Sequence, residues 1–304
     1  MDLDTCGIGI FAPSGHVTDD DALERAVAWL SAIAREVVVD ATARTRSQRF
    51  SASDDERIAA FERMAADPRV DIAIAARGGY GLSRLLDRLD FARLAHSGTR
   101  WVGHSDFTAF ELAALARSRM VSFAGPMACY DFGAETPSAF TTTQFVSAMR
   151  GDEHAVAFDA DPHLDVHVEG TLWGGNLAII ASLIGTPYLP DVDGGVLFVE
   201  DVREHPYRIE RMLLHLHWAG VLARQRVVLL GEFTEYALGA NDGGYDIDAA
   251  IAHVARAAGV PFVRGLPFGH CRDKATLPIG AHCSVDVENG RANLAFAGAA
   301  TFRA

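Results

Sequence analysis

Apolar residues in the first half of the chain fall into two alternating rhythms. Short, mostly apolar runs at residues 7–12, 37–39, 70–76 and 100–103 have the length of strands buried on both faces. Between them the apolar positions recur at helical spacing. In residues 19–36, Leu23, Ala26, Val27, Leu30 and Ile33 share one face, with Asp20 or Asp21 near the cap. Ser53, with Glu56 three residues on, forms a capping box that opens a helix over 54–67. Further helices are expected from Leu82 to about Leu86 and over 106–117. This alternation predicts an α/β fold with a parallel sheet covered on both faces.

The rhythm breaks at residues 151–167, which are polar and rich in turn formers, and a linker is expected there. It would separate a domain at 1–150 from a smaller, β-rich α/β domain at 168–304. In the second half, strands are expected at 166–172, 196–199, 227–230, 260–264 and 284–287, with a strand-like tail at 292–302. Helices are expected at 177–184, 207–219 and 247–258. No internal repeat or low-complexity tract is found.

Composition narrows the functional classes. The 304 residues include 40 acidic and 27 basic ones, a net charge of −13 without the basic stripe of a nucleic-acid binder. No apolar run reaches membrane-spanning length. Residues 1–15 lack a basic region ahead of their short apolar run, so they are expected to form a first strand and not a signal peptide. The four cysteines form no C-x-x-C pair, which fits a reducing compartment, with the cytoplasm expected. Neither a metal nor a cofactor is expected. Gly7-Ile8-Gly9 lacks the last glycine of a dinucleotide fingerprint, and His215 and His217 have no third ligand nearby.

Four segments carry candidate chemistry. In Gly103-His104-Ser105-Asp106 a short strand runs into a serine and a helix begins at once. Such a turn presents a hydroxyl at the carboxyl end of a parallel strand, with backbone N–H groups able to receive an oxyanion. A simple helix cap at Ser105 or Asp106 is the alternative. His270 follows the stiff turn Leu266-Pro267-Phe268-Gly269, a better setting for a catalytic base than the helical His215 or His217. The run 196–199 ends in Glu200 and Asp201, either of which could orient an imidazole. Finally, Arg77-Gly78-Gly79-Tyr80-Gly81 offers glycine N–H groups, with Gly79 and Asp106 as the expected oxyanion donors, and Arg77 as a partner for a substrate carboxylate. Trp173 and Asn176 are expected at the pocket wall.

Together with Ala12-Pro13-Ser14-Gly15, Gly125-Pro126-Met127, Gly174-Gly175-Asn176-Leu177, Pro206-Tyr207-Arg208 and Leu277-Pro278-Ile279-Gly280, these segments resemble the LD-carboxypeptidase family. These are serine peptidases that include muramoyltetrapeptide carboxypeptidases and microcin-C immunity peptidases. The resemblance spans nearly the whole chain. It implies a triad of Ser105, Glu200 and His270, choosing Glu200 over Asp201. It also implies a flavodoxin-like N-terminal domain, a cytoplasmic homodimer and a murein tetrapeptide substrate that loses its terminal D-alanine. His104 stands where many members carry tyrosine, which bears on substrate preference. A microcin-type immunity peptidase with the same triad and a non-catalytic flavodoxin-like binding protein are the alternatives.

Overall fold

A computed structural model describes residues 2–151 and 153–297. The first half builds β1 (Gly7–Phe11), α1 (Asp20–Ser31), β2 (Glu36–Val39), α2 (Asp54–Ala66), β3 (Ile72–Ala75), α3 (Phe91–His96), β4 (Arg100–Gly103), α4 (Thr108–Ser118), β5 (Ser122–Ala124) and α5 (Ala139–Arg150). The second half builds β6 (His154–Asp159), β7 (Val166–Asn176), α6 (Leu177–Leu183), β8 (Gly195–Val202), α7 (Pro206–Trp218), β9 (Gln225–Thr234), α8 (Ile247–Ala258), β10 (Phe262–Arg264), β11 (Leu277–Ile279), β12 (His282–Glu288) and β13 (Arg291–Phe296).

Helix starts follow local chemistry. Ser53 caps α2 in the expected capping box with Glu56. Asp19, Ser138 and Asp246 cap α1, α5 and α8 through their side chains. Between α1 and β2 the chain turns earlier than its apolar spacing suggested, and residue 36 is already strand.

The first sheet has the order β11-β5-β4-β3-β1-β2. Strands β1 to β5 are parallel, in the flavodoxin-like order 2-1-3-4-5. The loops after β1, β3, β4 and β5 therefore gather at one carboxyl edge. The second sheet, β10-β9-β8-β7-β12-β13-β6, is parallel from β10 to β7 and antiparallel beyond. Strand β11 leaves the second half and pairs antiparallel with β5, Leu277 opposite Ala124.

The expected linker is corrected in part. Residues 154–159 form β6, paired with β13 along its whole length. Its side chains alternate buried and exposed. The buried set, His154, Val156 and Phe158, is hidden in the sequence by the polar residues on either side. For the strand-like tail, residues 291–296 are strand and 298–302 lie outside the described residues.

The core beneath the first sheet is aromatic. Phe11, Phe61, Trp101, Phe107 and Phe110 form a chain of ring contacts, with Phe61 and Phe110 stacked at 4.8 Å. On the same helix as Phe110, Glu111 is wholly buried and neither carboxylate oxygen finds a partner among the described residues. Burial raises its pKa well above the ordinary 4.5. An acid whose folded pKa is raised contributes full stability below its unfolded value, and loses it as pH climbs toward the folded value. Glu111→Gln is therefore expected to match the native protein at pH 4 in urea unfolding. Above about pH 5 it should become the more stable of the two, by up to about 1.4 kcal/mol per pH unit. Parallel curves across that range would contradict a buried neutral carboxyl.

Candidate active site

At the end of β4 the chain passes through His104 in extended geometry and reaches Ser105 at φ 63°. Left-handed backbone is unfavourable for a residue with a Cβ and persists where the surroundings enforce it. A short 3-10 turn over 105–107 then leads into α4. This strained strand-to-helix turn lifts the Ser105 hydroxyl out of the sheet edge, as at a nucleophile elbow.

Strand β8 supplies the acid. Glu200 and Asp201 are neighbours where the register of β8 against β9 shifts, and beyond a shared Asn176 their carboxylates go to different partners. Glu200 is fully buried, and its Oε2 lies 2.9 Å from His270 Nδ1 while Oε1 accepts from Asn176 Nδ2 at 3.2 Å. Asp201 turns to the start of α6, where it accepts from the Ala178 N–H at 2.9 Å and from Asn176 Nδ2 at 3.0 Å. Burial, and then the neighbouring Glu200, push its pKa up to about 6.

His270 lies on the loop between β10 and β11. The preceding Gly269 has φ 138°, and a Cβ there would lie 3.2 Å from Glu200 Oε2 and 3.1 Å from the Glu232 carbonyl. Glycine is what allows this loop to lie against the acid. His270 Nε2 reaches Ser105 Oγ at 3.1 Å. A carboxylate on Nδ1 selects the tautomer with its proton there, which leaves the Nε2 lone pair to accept the serine proton. Three side chains separated by 70 and 165 positions thus form one hydrogen-bonded line.

Backbone donors surround the serine. A Cβ on Gly78 would fall 3.1 Å from Ser105 Oγ and 3.6 Å from the Asp106 nitrogen, so the glycine loop lies directly against the serine turn. The next N–H, that of Gly79, has no hydrogen-bond acceptor among the described residues. The Asp106 side chain has a role that its position in the sequence did not suggest. Buried beside Ser105, it accepts from Ser14 Oγ at 2.7 Å and from the Leu82 N–H at 2.9 Å. It thereby ties the loops after β1 and β3 to the serine turn. Burial raises its pKa.

Behind the imidazole stands a second group of residues that the sequence reading did not single out as a unit. His104 is buried, its Nδ1 2.9 Å from the Gly125 carbonyl and its ring edge-on to His270 at 5.3 Å. Burial, and then the nearby Lys274 cation, hold its pKa well below the usual 6.5, so it is neutral. Lys274 and Asp131 form a buried ion pair at 2.9 Å, and the ammonium sits 4.8 Å from the centre of the Tyr130 ring. Lys274 is the only lysine in the chain.

The remaining expected residues divide. Asn176 is buried beside the acids, where its Nδ2 donates to both Glu200 and Asp201. Its own N–H donates to Thr108 Oγ1 at 3.0 Å, joining the second sheet to the first turn of α4. Trp173 is corrected from pocket wall to core: it is 1% exposed, belongs to a large buried hydrophobic cluster, and donates its indole N–H to Gln225 at 2.8 Å. Its place on a strand, three residues before Asn176, sends it to the opposite face. Arg77 is half-buried and its Nη1 donates to the His16 carbonyl at 2.7 Å, bracing the loop after β1. Among the described residues no group of three or more His, Cys, Asp or Glu is placed to hold a metal ion, and no helix is long and apolar enough to cross a membrane.

Comparison with known proteins follows the same two halves. Residues 8–125 match the model of the LD-carboxypeptidase N-terminal domain, and residues 169–285 that of the LD-carboxypeptidase C-terminal domain. The chain is similar to the crystal structure of muramoyltetrapeptide carboxypeptidase from Oxalobacter formigenes, at 46% identity and a TM-score of 0.90, over 96% of this chain and 98% of that one. It is 28% identical to the probable murein peptide carboxypeptidase of Bacillus subtilis, over 92% of this chain and 88% of that protein. It is also 23% identical to the microcin C7 self-immunity protein of Escherichia coli, over 77% of this chain and 76% of that protein.

Proposed function

The chain belongs to the LD-carboxypeptidase family, and on that premise we propose that it removes the terminal D-alanine from murein tetrapeptides by cleaving an L,D-peptide bond. The observation that carries this reading is the position of His270, 3.1 Å from Ser105 Oγ and 2.9 Å from Glu200 Oε2. His270 takes the Ser105 proton as the hydroxyl oxygen attacks the carbonyl carbon, whose oxygen becomes an oxyanion. The Gly79 and Asp106 N–H groups receive that oxyanion. The tetrahedral adduct collapses as His270 gives its proton to the departing amine, and free D-alanine leaves an acyl ester on Ser105. Water, deprotonated by His270, attacks the ester, and the proton returns to the serine. Glu200 holds the imidazole in the required tautomer and offsets its charge in both half-reactions. The same premise extends to a homodimer working in the cytoplasm on recycled cell-wall peptides.

Incubation with an L,D-linked tetrapeptide ending in D-alanine is expected to yield a tripeptide and free alanine by mass spectrometry. A peptide that keeps its mass under excess enzyme, or that loses a dipeptide, would overturn the reading. A peptidyl-nucleotide offered in parallel distinguishes an immunity-type peptidase by which substrate turns over faster.

A further inference from the structure

We propose that Arg272 binds the free carboxylate of the leaving residue and thereby makes the enzyme a carboxypeptidase. The inference rests on the proposed acyl transfer and adds its specificity determinant. His270 must protonate the departing nitrogen, so the leaving residue lies on the imidazole side of the serine, away from the Gly78–Gly79 loop. In a single leaving amino acid the carboxylate is only the Cα removed from that nitrogen. The cation that receives it should therefore come from the base's own loop.

Arg272 meets this requirement. It is exposed, two positions beyond His270, and its guanidinium has no ion pair or hydrogen bond among the described residues. Other arginines around the first sheet are already committed: Arg57, Arg63, Arg84 and Arg88 each bind an aspartate. Asp131 on the same cleft and the adjacent Asp273 are also occupied. Asp131 is neutralised by Lys274, and Asp273 accepts from Ser138 Oγ at 2.6 Å. The Arg272 backbone is fixed, because its carbonyl accepts from Thr141 Oγ1 at 3.0 Å.

Arg272 lines a cleft of about 200 Å³ with Tyr130, Thr136, Ser138 and Thr141. That is the space of about seven waters, enough to admit one small amino acid. Tyr130 joins the cleft to the catalytic line: its ring lies 6.1 Å from His104, which in turn packs on His270. Arg77, the other candidate, stands on the oxyanion side beside Gly78 with its guanidinium engaged by the His16 carbonyl. A guanidinium binds a carboxylate through paired, charge-assisted hydrogen bonds, which a neutral amide at the same place cannot reproduce.

The test compares kcat/KM for a tetrapeptide with a free C-terminal carboxylate and for the same peptide amidated, using the native protein and Arg272→Gln. The native protein is expected to prefer the acid, and Arg272→Gln to reduce that preference by about 10- to 100-fold, chiefly through KM. Arg272→Lys, which keeps the charge but not the fork, should restore part of it. An acid-to-amide preference unchanged in Arg272→Gln overturns the assignment while leaving the peptidase reading intact. A native protein that cleaves neither peptide overturns the peptidase reading itself, and the assignment with it.

Discussion

Ser105→Ala is expected to lower kcat by about 10⁴- to 10⁶-fold, with KM little changed. The Ser105 hydroxyl, 3.1 Å from His270 Nε2, is the only hydroxyl among the described residues within hydrogen-bond reach of that nitrogen. Removing it leaves the backbone donors and the binding surface in place, so residual activity over water should persist. The same position offers a separate thermodynamic readout. Ser105 holds φ 63°, and alanine carries the same Cβ into that left-handed geometry. Glycine does not. Ser105→Gly should therefore be as inactive as the alanine variant yet more stable than it, by about 1 kcal/mol in denaturant unfolding. Equal stabilities would mean that the turn is not strained. Full activity in either variant would remove serine chemistry from the site.

The second large effect is expected from Glu200→Gln, a change of one heavy atom that should lower kcat by about 10⁴-fold. Asn176 Nδ2 donates to Glu200 Oε1. A glutamine would satisfy that donor with its carbonyl and turn its NH2 toward His270. An amide donor facing Nδ1 selects the tautomer with the proton on Nε2, and the ring can then no longer take the Ser105 proton. Substrate binding should be almost untouched, since Glu200 is fully buried. Steady-state kinetics separates the two parameters. A loss carried mainly by KM would show that Glu200 holds the pocket's shape and not the imidazole.

The parts of this site that were legible in the sequence are those written in local pattern. Short apolar runs ending in Gly103-His104-Ser105 and in Glu200-Asp201 marked strands delivering polar groups to a sheet edge, and both strands are present. The choice between Glu200 and Asp201 was not local. It depends on which face of β8 meets the His270 loop, and only the family resemblance indicated it. Trp173 was misplaced for the related reason that one register step decides between core and pocket. Asp106 was read only as a cap or a backbone donor because its side-chain partners, Ser14 and Leu82, lie on other loops. Lys274 and Asp131 are 143 positions apart, and nothing near either one announces a buried pair. Strand β11 is three residues long, and β6 sits between polar stretches, so neither had the length or contrast to register as a strand.

The pairing of β11 with β5 has a consequence for how the polypeptide matures on the ribosome. The first sheet cannot complete its outer border when its own five strands have emerged. It must wait about 150 residues, from Ala124 to Leu277, for the closing segment to be translated. During that interval β5 presents an unprotected row of backbone groups, the kind of surface on which nascent chains stick to one another. The segment that finally covers it is the one that follows His270, so docking of that border and delivery of the imidazole are a single event. A half-made chain would thus hold its serine without its base, and hydrolytic power would arise only once the whole molecule had closed.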